Sequence, residues 1–151
     1  MIHLYKTQAL LLAAVAAAIM AAAPVASQAS DSVVVLVNAR NPTKALTRAQ
    51  LRNMFLGTTG FWHGVVPVKV FVRATSTPAA KAFFEPFVGQ SPQAFAKHWD
   101  KLQLSGRGVA PTTASSAQDL AAKIAAVPGG IGFSLASEVK NLPGVKVVTI
   151  E

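Results

Sequence analysis

Hydrophobic runs mark the strands of this chain. Residues 33–37 are five consecutive apolar residues, and four of them are β-branched. A run of this kind is too short for a helix and does not alternate, so it predicts a strand buried on both faces. Further apolar segments at residues 68–72, 131–134 and 145–150 predict three more strands.

Apolar residues at helical spacing, preceded by hydroxyl or proline residues, predict helices between these strands. The first predicted helix follows Thr47 and ends at Gly57, and the second runs from Pro78 to an interruption near Pro86. The third runs from Ser91 and Pro92 through Leu102, and the fourth occupies residues 117–126 behind a cap at Ser115 or Ser116. Residues 58–64 and 104–111 are predicted to be loops. Strands that alternate with helices indicate an α/β fold with a mixed, partly parallel sheet flanked by helices.

The first 29 residues differ in composition from the rest of the chain. Lys6 precedes an uninterrupted apolar run at residues 9–23, and Ser27-Gln28-Ala29 gives a small-x-small pattern. This predicts a secretory signal peptide cleaved after Ala29, followed by one domain over residues 30–151. A membrane anchor is the weaker alternative, because the run is short for a bilayer span and rich in alanine. Since the chain has no cysteine, we expect a periplasmic protein without disulfides.

Charge narrows the range of partners. The chain carries a formal net charge of +8, from 14 lysine and arginine residues against 6 aspartate and glutamate residues. Such a surface attracts anions. The basic residues are spread singly, however, and no run of like charges marks an arm for nucleic acid. Binding to nucleic acid or to an acidic polymer therefore ranks last among the functions considered, and no nucleic-acid partner is expected.

Residue patterns typical of enzymes and metal sites are absent from the sequence. His63 and His98 have no motif partner, and no zinc-protease motif, nucleophile elbow or phosphate-loop lysine occurs. The acidic residues are scattered, and no pair is placed for acid–base chemistry. We therefore expect a protein that is not an enzyme and that uses no metal or other cofactor.

One turn carries the residues of a small anion site. Arg73 ends a predicted strand and is followed by the hydroxyls of Thr75, Ser76 and Thr77 and then by Pro78, at the start of a helix. The amides of a first helical turn, the positive end of the helix dipole and an arginine together favour an oxyanion. The alternative is that the hydroxyls only cap the helix and that Arg73 is a solvated charge.

A second turn combines glycines with an arginine. It reads Ser105, Gly106, Arg107, Gly108. Amides of a glycine-rich turn can surround an oxyanion, and the guanidinium of Arg107 offers two parallel donors. The alternative, which the pattern favours, is a flexible connection between two helices.

Three segments, in order along the chain, resemble the periplasmic phosphate-binding proteins of ABC transporters. Residues 47–57 followed by Trp62-His63-Gly64 resemble the family signature L-x-x-I-F-x-G-x-x-x-x-W-x-D/N-G. Residues 73–77 are similar to the phosphate loop R-x-x-x-S-G-T, and residues 128–133 resemble the strand entry P-G-A-I-G-Y. The arginine-to-hydroxyl spacing is shorter here, and the glycine of the S-G-T triplet is missing.

The resemblance implies a single lobe of a type II periplasmic-binding-protein-like fold. It implies a solute-binding module for phosphate or a similar small oxyanion, with Arg73, Ser76 and Thr77 as contacts and an inner-membrane permease or a sensor as partner. The alternative is an interaction or scaffold protein that has kept the lobe and lost the ligand. Such a protein would pair with itself as a homodimer, or with a membrane protein, through its cleft face or the aromatic segment 61–63.

Overall fold

The computed structural model describes residues 31–151, so the predicted signal peptide at residues 1–29 lies outside the described part of the chain. The helices are α1 (Arg48–Phe55), α2 (Pro78–Phe83), which continues as a π-helical turn (Phe84–Val88), α3 (Pro92–Leu104) and α4 (Ala117–Ala126), with a 3-10 turn at Ala136–Glu138. The strands are β1 (Val33–Asn38), β2 (Ala45–Leu46), β3 (Phe61–Trp62), β4 (Val66–Pro67), β5 (Lys69–Arg73), β6 (Thr112–Ala114), β7 (Gly130–Leu135) and β8 (Val145–Ile150).

Six strands form one sheet in the order β2-β8-β1-β7-β5-β6. Strand β1 is antiparallel to both of its neighbours, whereas the β2–β8, β5–β7 and β5–β6 pairs are parallel. The remaining strands, β3 and β4, form a separate hairpin. The predicted mixed, partly parallel sheet flanked by helices is therefore confirmed.

Both faces of the central strand β1 are covered. Val35 and Val37 pack with helices α1 to α3, and the closest ring pair on this face is the stack of Phe83 on Phe133, whose centroids are 4.1 Å apart. Leu36 packs on the opposite face against α4. Because side chains alternate along a strand, an unbroken apolar run fills both layers, and the prediction of a doubly buried strand is confirmed.

Hydroxyl caps begin the helices where the sequence predicts them. Thr47 forms a capping box with Gln50 at the start of α1. The side chain of Ser91 accepts a hydrogen bond from the amide of Ala94 in α3, and Ser116, rather than Ser115, caps α4. These bonds satisfy first-turn amides that have no partner inside the helix.

Several local features differ from the sequence prediction, among them the short strands β2 and β4, which were not predicted. The predicted loop at residues 58–64 contains strand β3, and the predicted loop at residues 104–111 is followed by the unpredicted strand β6. Strands of two or three residues are too short to carry a periodic pattern. The interruption predicted near Pro86 takes the form of a π-helical turn, closed by a 2.9 Å bond from the amide of Gly89 to the carbonyl of Phe84.

Among residues 31–151, the structure contains no helix that is both long and apolar enough to cross a membrane.

Candidate functional site

Three parallel strands end at one edge of the sheet, which we call the carboxyl edge. It comprises residues 73–77 after β5, residues 115–116 after β6 and residues 134–138 at the end of β7. Helices α2 and α4 begin there, behind their caps Thr77 and Ser116. In open α/β sheets, ligands bind beyond the carboxyl ends of the strands. The carboxyl edge is therefore the candidate site.

Arg73 lies at the centre of the carboxyl edge, with its side chain only 9% exposed. Its Nη1 donates to Oγ of Ser134 at 3.3 Å and to Oε2 of Glu138 at 3.1 Å. Its Nε is buried and makes no hydrogen bond to any residue of the described range 31–151. The alternative in which Arg73 is a solvated charge is therefore wrong: the guanidinium is buried and paired with a carboxylate, while part of its donor capacity is unused.

Glu138 is held by three donors at a single oxygen. Besides Arg73, Oε2 of Glu138 accepts from Oγ of Ser134 at 2.6 Å and from the amide of Leu135 at 3.2 Å. Burial, the largest single influence, raises the pKa of Glu138, but the bonds from Ser134 and Leu135 and the charge of Arg73 together lower that pKa below its usual value. Glu138 is thus ionised at neutral pH and neutralises Arg73.

The hydroxyls that follow Arg73 divide into two groups. Thr77 accepts a bond from the amide of Ala80 and donates one to the carbonyl of Ala74 at 2.7 Å, so its hydroxyl is used as a cap. Thr75 and Ser76 are exposed, and within the described part of the chain their side chains make no hydrogen bond. These two hydroxyls remain available to a ligand.

An acidic residue already occupies the neighbouring start of α4. Asp119 accepts from the amide of Ser115 at 2.9 Å and from the ammonium of Lys123 at 2.6 Å. The hydrogen bond from Lys123, followed by that from the amide of Ser115, lowers the pKa of Asp119. The first turn of α4 is therefore balanced by the protein's own carboxylate, and α2 is the helix whose start adjoins the unused donors.

In the second predicted turn, the amides of Gly106 and Arg107 are already used within the protein. The turn is the carboxyl-terminal cap of α3, in which Gly106 adopts a positive φ of 69°. The amide of Gly106 donates to the carbonyl of Gln103 at 3.0 Å, and the amide of Arg107 donates to that of Leu102 at 2.9 Å. This pair of bonds is the Schellman motif. The side chain of Ser105 bonds to its own helix as well, at the carbonyl of Leu102.

The two predicted turns also lie apart. Arg107 lines a depression beside Lys69, the first residue of β5, whereas Arg73 is the last residue of that strand. Four residues of strand correspond to about 13 Å. The seven residues predicted as ligands therefore form two groups. One lies at the carboxyl edge and comprises Arg73, Thr75, Ser76 and Thr77; the other lies at the end of α3 and comprises Ser105, Gly106 and Arg107.

The aromatic segment 61–63 is mostly structural. Trp62 is buried, and its Nε1 donates to the carbonyl of Gly129 at 3.0 Å. His63 has a positive φ of 47° and lies 3.1 Å from Oγ1 of Thr43. Phe61 is 54% exposed and His63 is exposed as well, so both rings are open to a partner. No group of three or more potential metal ligands occurs within the described range.

Sequence reasoning missed Ser134 and Glu138. Ser134 lies near the end of β7 and Glu138 in the 3-10 turn that follows, and their polar character after a glycine-rich apolar strand was the available signal. Register would have located Ser134, since Lys69 pairs with Gly130 and the same offset sets Arg73 opposite Ser134. That pairing is not visible in a single sequence.

Comparisons with known proteins identify the fold. No family model matches this chain, and no curated protein matches its sequence. Among solved structures, it is similar to an ABC-type phosphate transport receptor from Vibrio cholerae, with 20% identity and a TM-score of 0.53 over 80% of this chain and 46% of that one. The chain has the fold of one lobe of such a protein.

Two further solved structures are similar to this chain in fold. One is described as a substrate-binding protein of a phosphate ABC transporter, with bound phosphate, from Clostridium perfringens; its identity is 18% and its TM-score 0.61, over 80% of this chain and 45% of that one. The other is a phosphate-binding protein from Stenotrophomonas maltophilia, with 16% identity and a TM-score of 0.59, over 80% of this chain and 39% of that one. This chain therefore spans less than half the length of the structures it resembles.

Proposed function

We propose that this chain is a periplasmic solute-binding module of the substrate-binding type, and that it binds phosphate or a similar oxyanion at the carboxyl edge. The observation that carries the proposal is the buried guanidinium of Arg73, whose Nε has no partner among the described residues and which is followed in the chain by the exposed hydroxyls of Thr75 and Ser76. The structures that share the fold are described as phosphate receptors or phosphate-binding proteins.

The roles follow from the contacts. Glu138 and Ser134 fix Arg73 at the sheet edge through Nη1, and the rest of the guanidinium is left for an anion. The hydroxyls of Thr75 and Ser76 supply further donors, and Thr77 orders the turn as a cap. Because Glu138 cancels the charge of Arg73, binding relies on directed hydrogen bonds more than on net charge.

A single lobe leaves the bound anion in contact with water. Water competes for every donor and screens the charge of Arg73, so we expect weak binding unless another chain covers the edge. An inner-membrane permease or a second copy of the chain would supply that cover.

The test is calorimetric titration of the protein with inorganic phosphate. The matched variants are Thr75→Ala with Ser76→Ala, which remove exposed hydroxyls and leave the cap and the ion pair intact, and Ser105→Ala, which removes a hydroxyl outside the edge. We expect the double variant to lose at least tenfold in affinity and Ser105→Ala to bind as the unaltered protein does. Absence of heat up to millimolar phosphate, or an unchanged affinity in the double variant, would refute the proposal.

A second candidate function is pairing with another chain, without a ligand. It is favoured by two apolar side chains on the β3–β4 hairpin, Phe61 at 54% and Val65 at 77% exposure. Exposed aromatic residues commonly anchor interfaces. Light scattering tests this function: a dimer that persists without phosphate and dissociates in Phe61→Ser would support it, and a monomer at all concentrations would exclude self-association.

A further inference from the structure

A depression of about 210 Å³ lies at the other end of β5, and we call it the amino-end pocket. Its walls are the segment after α1, the start of β5 and the extended chain after α3. The lining residues are Met54, Gly57, Thr59, Gly60, Val68, Lys69, Val70, Trp99, Arg107, Gly108, Val109, Ala110 and Pro111. None of them belongs to the carboxyl edge. Trp99, Ala110 and Pro111 also line a neighbouring depression that reaches Arg73 and Thr75, so the test below must distinguish the two sites.

The charge of the amino-end pocket is uncompensated. Lys69 and Arg107 are the charged residues in its lining, and no acidic residue lines it. The salt bridges found among residues 31–151 involve other cations, Arg73 and Lys123. Two unpaired cations facing one concavity raise the local concentration of anions. In this respect the pocket differs from the carboxyl edge, where Glu138 neutralises Arg73.

The backbone of the pocket adds neutral donors. The amides of Gly108, Val109 and Ala110 make no hydrogen bond within the described part of the chain. In addition, the lining chain runs beside β5 where β6 has not yet begun, since the β5–β6 pairing starts only at Phe71. Amide groups left open beside two cations can bind an oxyanion.

The floor of the pocket is apolar and tightly built. The ring of Trp99 lies between two glycines: a Cβ at Gly57 would come within 2.7 Å of this ring, and one at Gly108 within 3.0 Å. Nε1 of Trp99 is fixed by a 3.0 Å bond to the carbonyl of Phe55. The ring therefore cannot turn freely, and with Val70 it forms a fixed apolar part of the lining.

We propose that the amino-end pocket binds a small organic anion, whose carboxylate or phosphate group lies between Lys69 and Arg107 and whose apolar group rests near Trp99. The volume is below the range of about 300 to 1,000 Å³ that is typical of sites for drug-sized ligands, so the ligand is a small molecule with a short or single-ring apolar part. The proposal does not depend on phosphate binding at the carboxyl edge.

The test uses phenyl phosphate as the probe, with phenol as its neutral counterpart, in a calorimetric titration of the full protein. Arg107→Gln and Lys69→Gln remove one cation each, and Lys101→Gln removes an exposed cation of α3 that does not line the pocket. We expect each pocket variant to lose at least tenfold in affinity for phenyl phosphate, Lys101→Gln to change it less than twofold, and phenol not to bind. Since Trp99 forms the floor, its fluorescence should change on saturation.

Three results would overturn the proposal. They are an absence of saturable binding, an affinity unchanged by both pocket variants, and an equal loss in Lys101→Gln, which would indicate general attraction to a basic surface. The double variant Thr75→Ala with Ser76→Ala separates the two sites: it should leave phenyl phosphate binding at the amino-end pocket intact. Loss of the calorimetric signal in this variant would assign the probe to the carboxyl edge instead.

Discussion

The ion pair of Arg73 and Glu138 predicts the largest single effect of a polar substitution near the site. Glu138→Gln keeps the size of the side chain and an oxygen that can still accept from Ser134 and Leu135, but it leaves the guanidinium of Arg73, 9% exposed, without a counter-charge. Removing one partner of a fully buried pair costs about 3 to 5 kcal/mol. Because Glu138 is 33% exposed, water screens part of this cost, and we expect about 2 kcal/mol.

For a domain of about 120 residues, 1 kcal/mol corresponds to about 4 °C in the melting midpoint. We therefore expect Glu138→Gln to melt about 8 °C lower at pH 7, measured by circular dichroism. Glu85→Gln is the matched control, since it makes the same chemical change at an exposed position and should leave the midpoint unchanged. A midpoint for Glu138→Gln within about 1 °C of that control would refute the idea that the pair stabilises the fold.

The same pair predicts how stability depends on pH. The folded state lowers the pKa of Glu138 below its usual value near 4.5, so the unfolded chain binds more protons at acidic pH. The stabilisation is therefore complete above pH 4.5 and is lost as the pH falls below that value and through the folded pKa. The midpoints of the unaltered protein and of Glu138→Gln should converge in this acidic range, and a constant difference between pH 7 and pH 3 would contradict the argument.

Two further substitutions test the local structure. Thr47→Ala removes the capping box of α1 and should cost about 1 kcal/mol in urea unfolding, whereas no loss would mean that water caps the helix equally well. Gly106→Ala places a Cβ at a φ of 69° in open space, so the cost of about 1 kcal/mol should come from the backbone alone; a loss above about 3 kcal/mol would indicate a contact that the structure does not contain.

Local signals were sufficient for most of the fold. A few neighbouring residues are enough to specify the doubly buried run at β1 and the hydroxyl caps of α1, α3 and α4. All of them appear in the structure. Strands β3 and β6 were not predictable, because each owes its existence to a partner far along the chain or across a turn. Strand β6, for example, is defined by pairing with β5, some forty residues earlier.

The candidate site was only half predictable for the same reason. The order of residues 73–77 showed an arginine, hydroxyls and a helix start, which are local features. Whether Arg73 is solvated or paired depends on β7 lying beside β5 in parallel register, which brings Ser134 and Glu138 to it. The turn at residues 105–107 shows the same limit: glycine and arginine are equally typical of an anion cradle and of a helix cap, and the difference lies in which carbonyls the amides reach.

Charge compensation also explains why one basic chain can carry two unlike candidate sites. At the carboxyl edge, Glu138 holds the buried Arg73 in a fixed orientation, which favours a ligand that matches its remaining donors and penalises one that brings only charge. At the amino-end pocket, Lys69 and Arg107 have no counter-ion in the lining. This pocket should therefore attract anions over a longer distance than the carboxyl edge does, and discriminate less between them. Added salt should therefore weaken binding at the amino-end pocket more steeply than at the carboxyl edge, because screening acts on net charge before it acts on short hydrogen bonds.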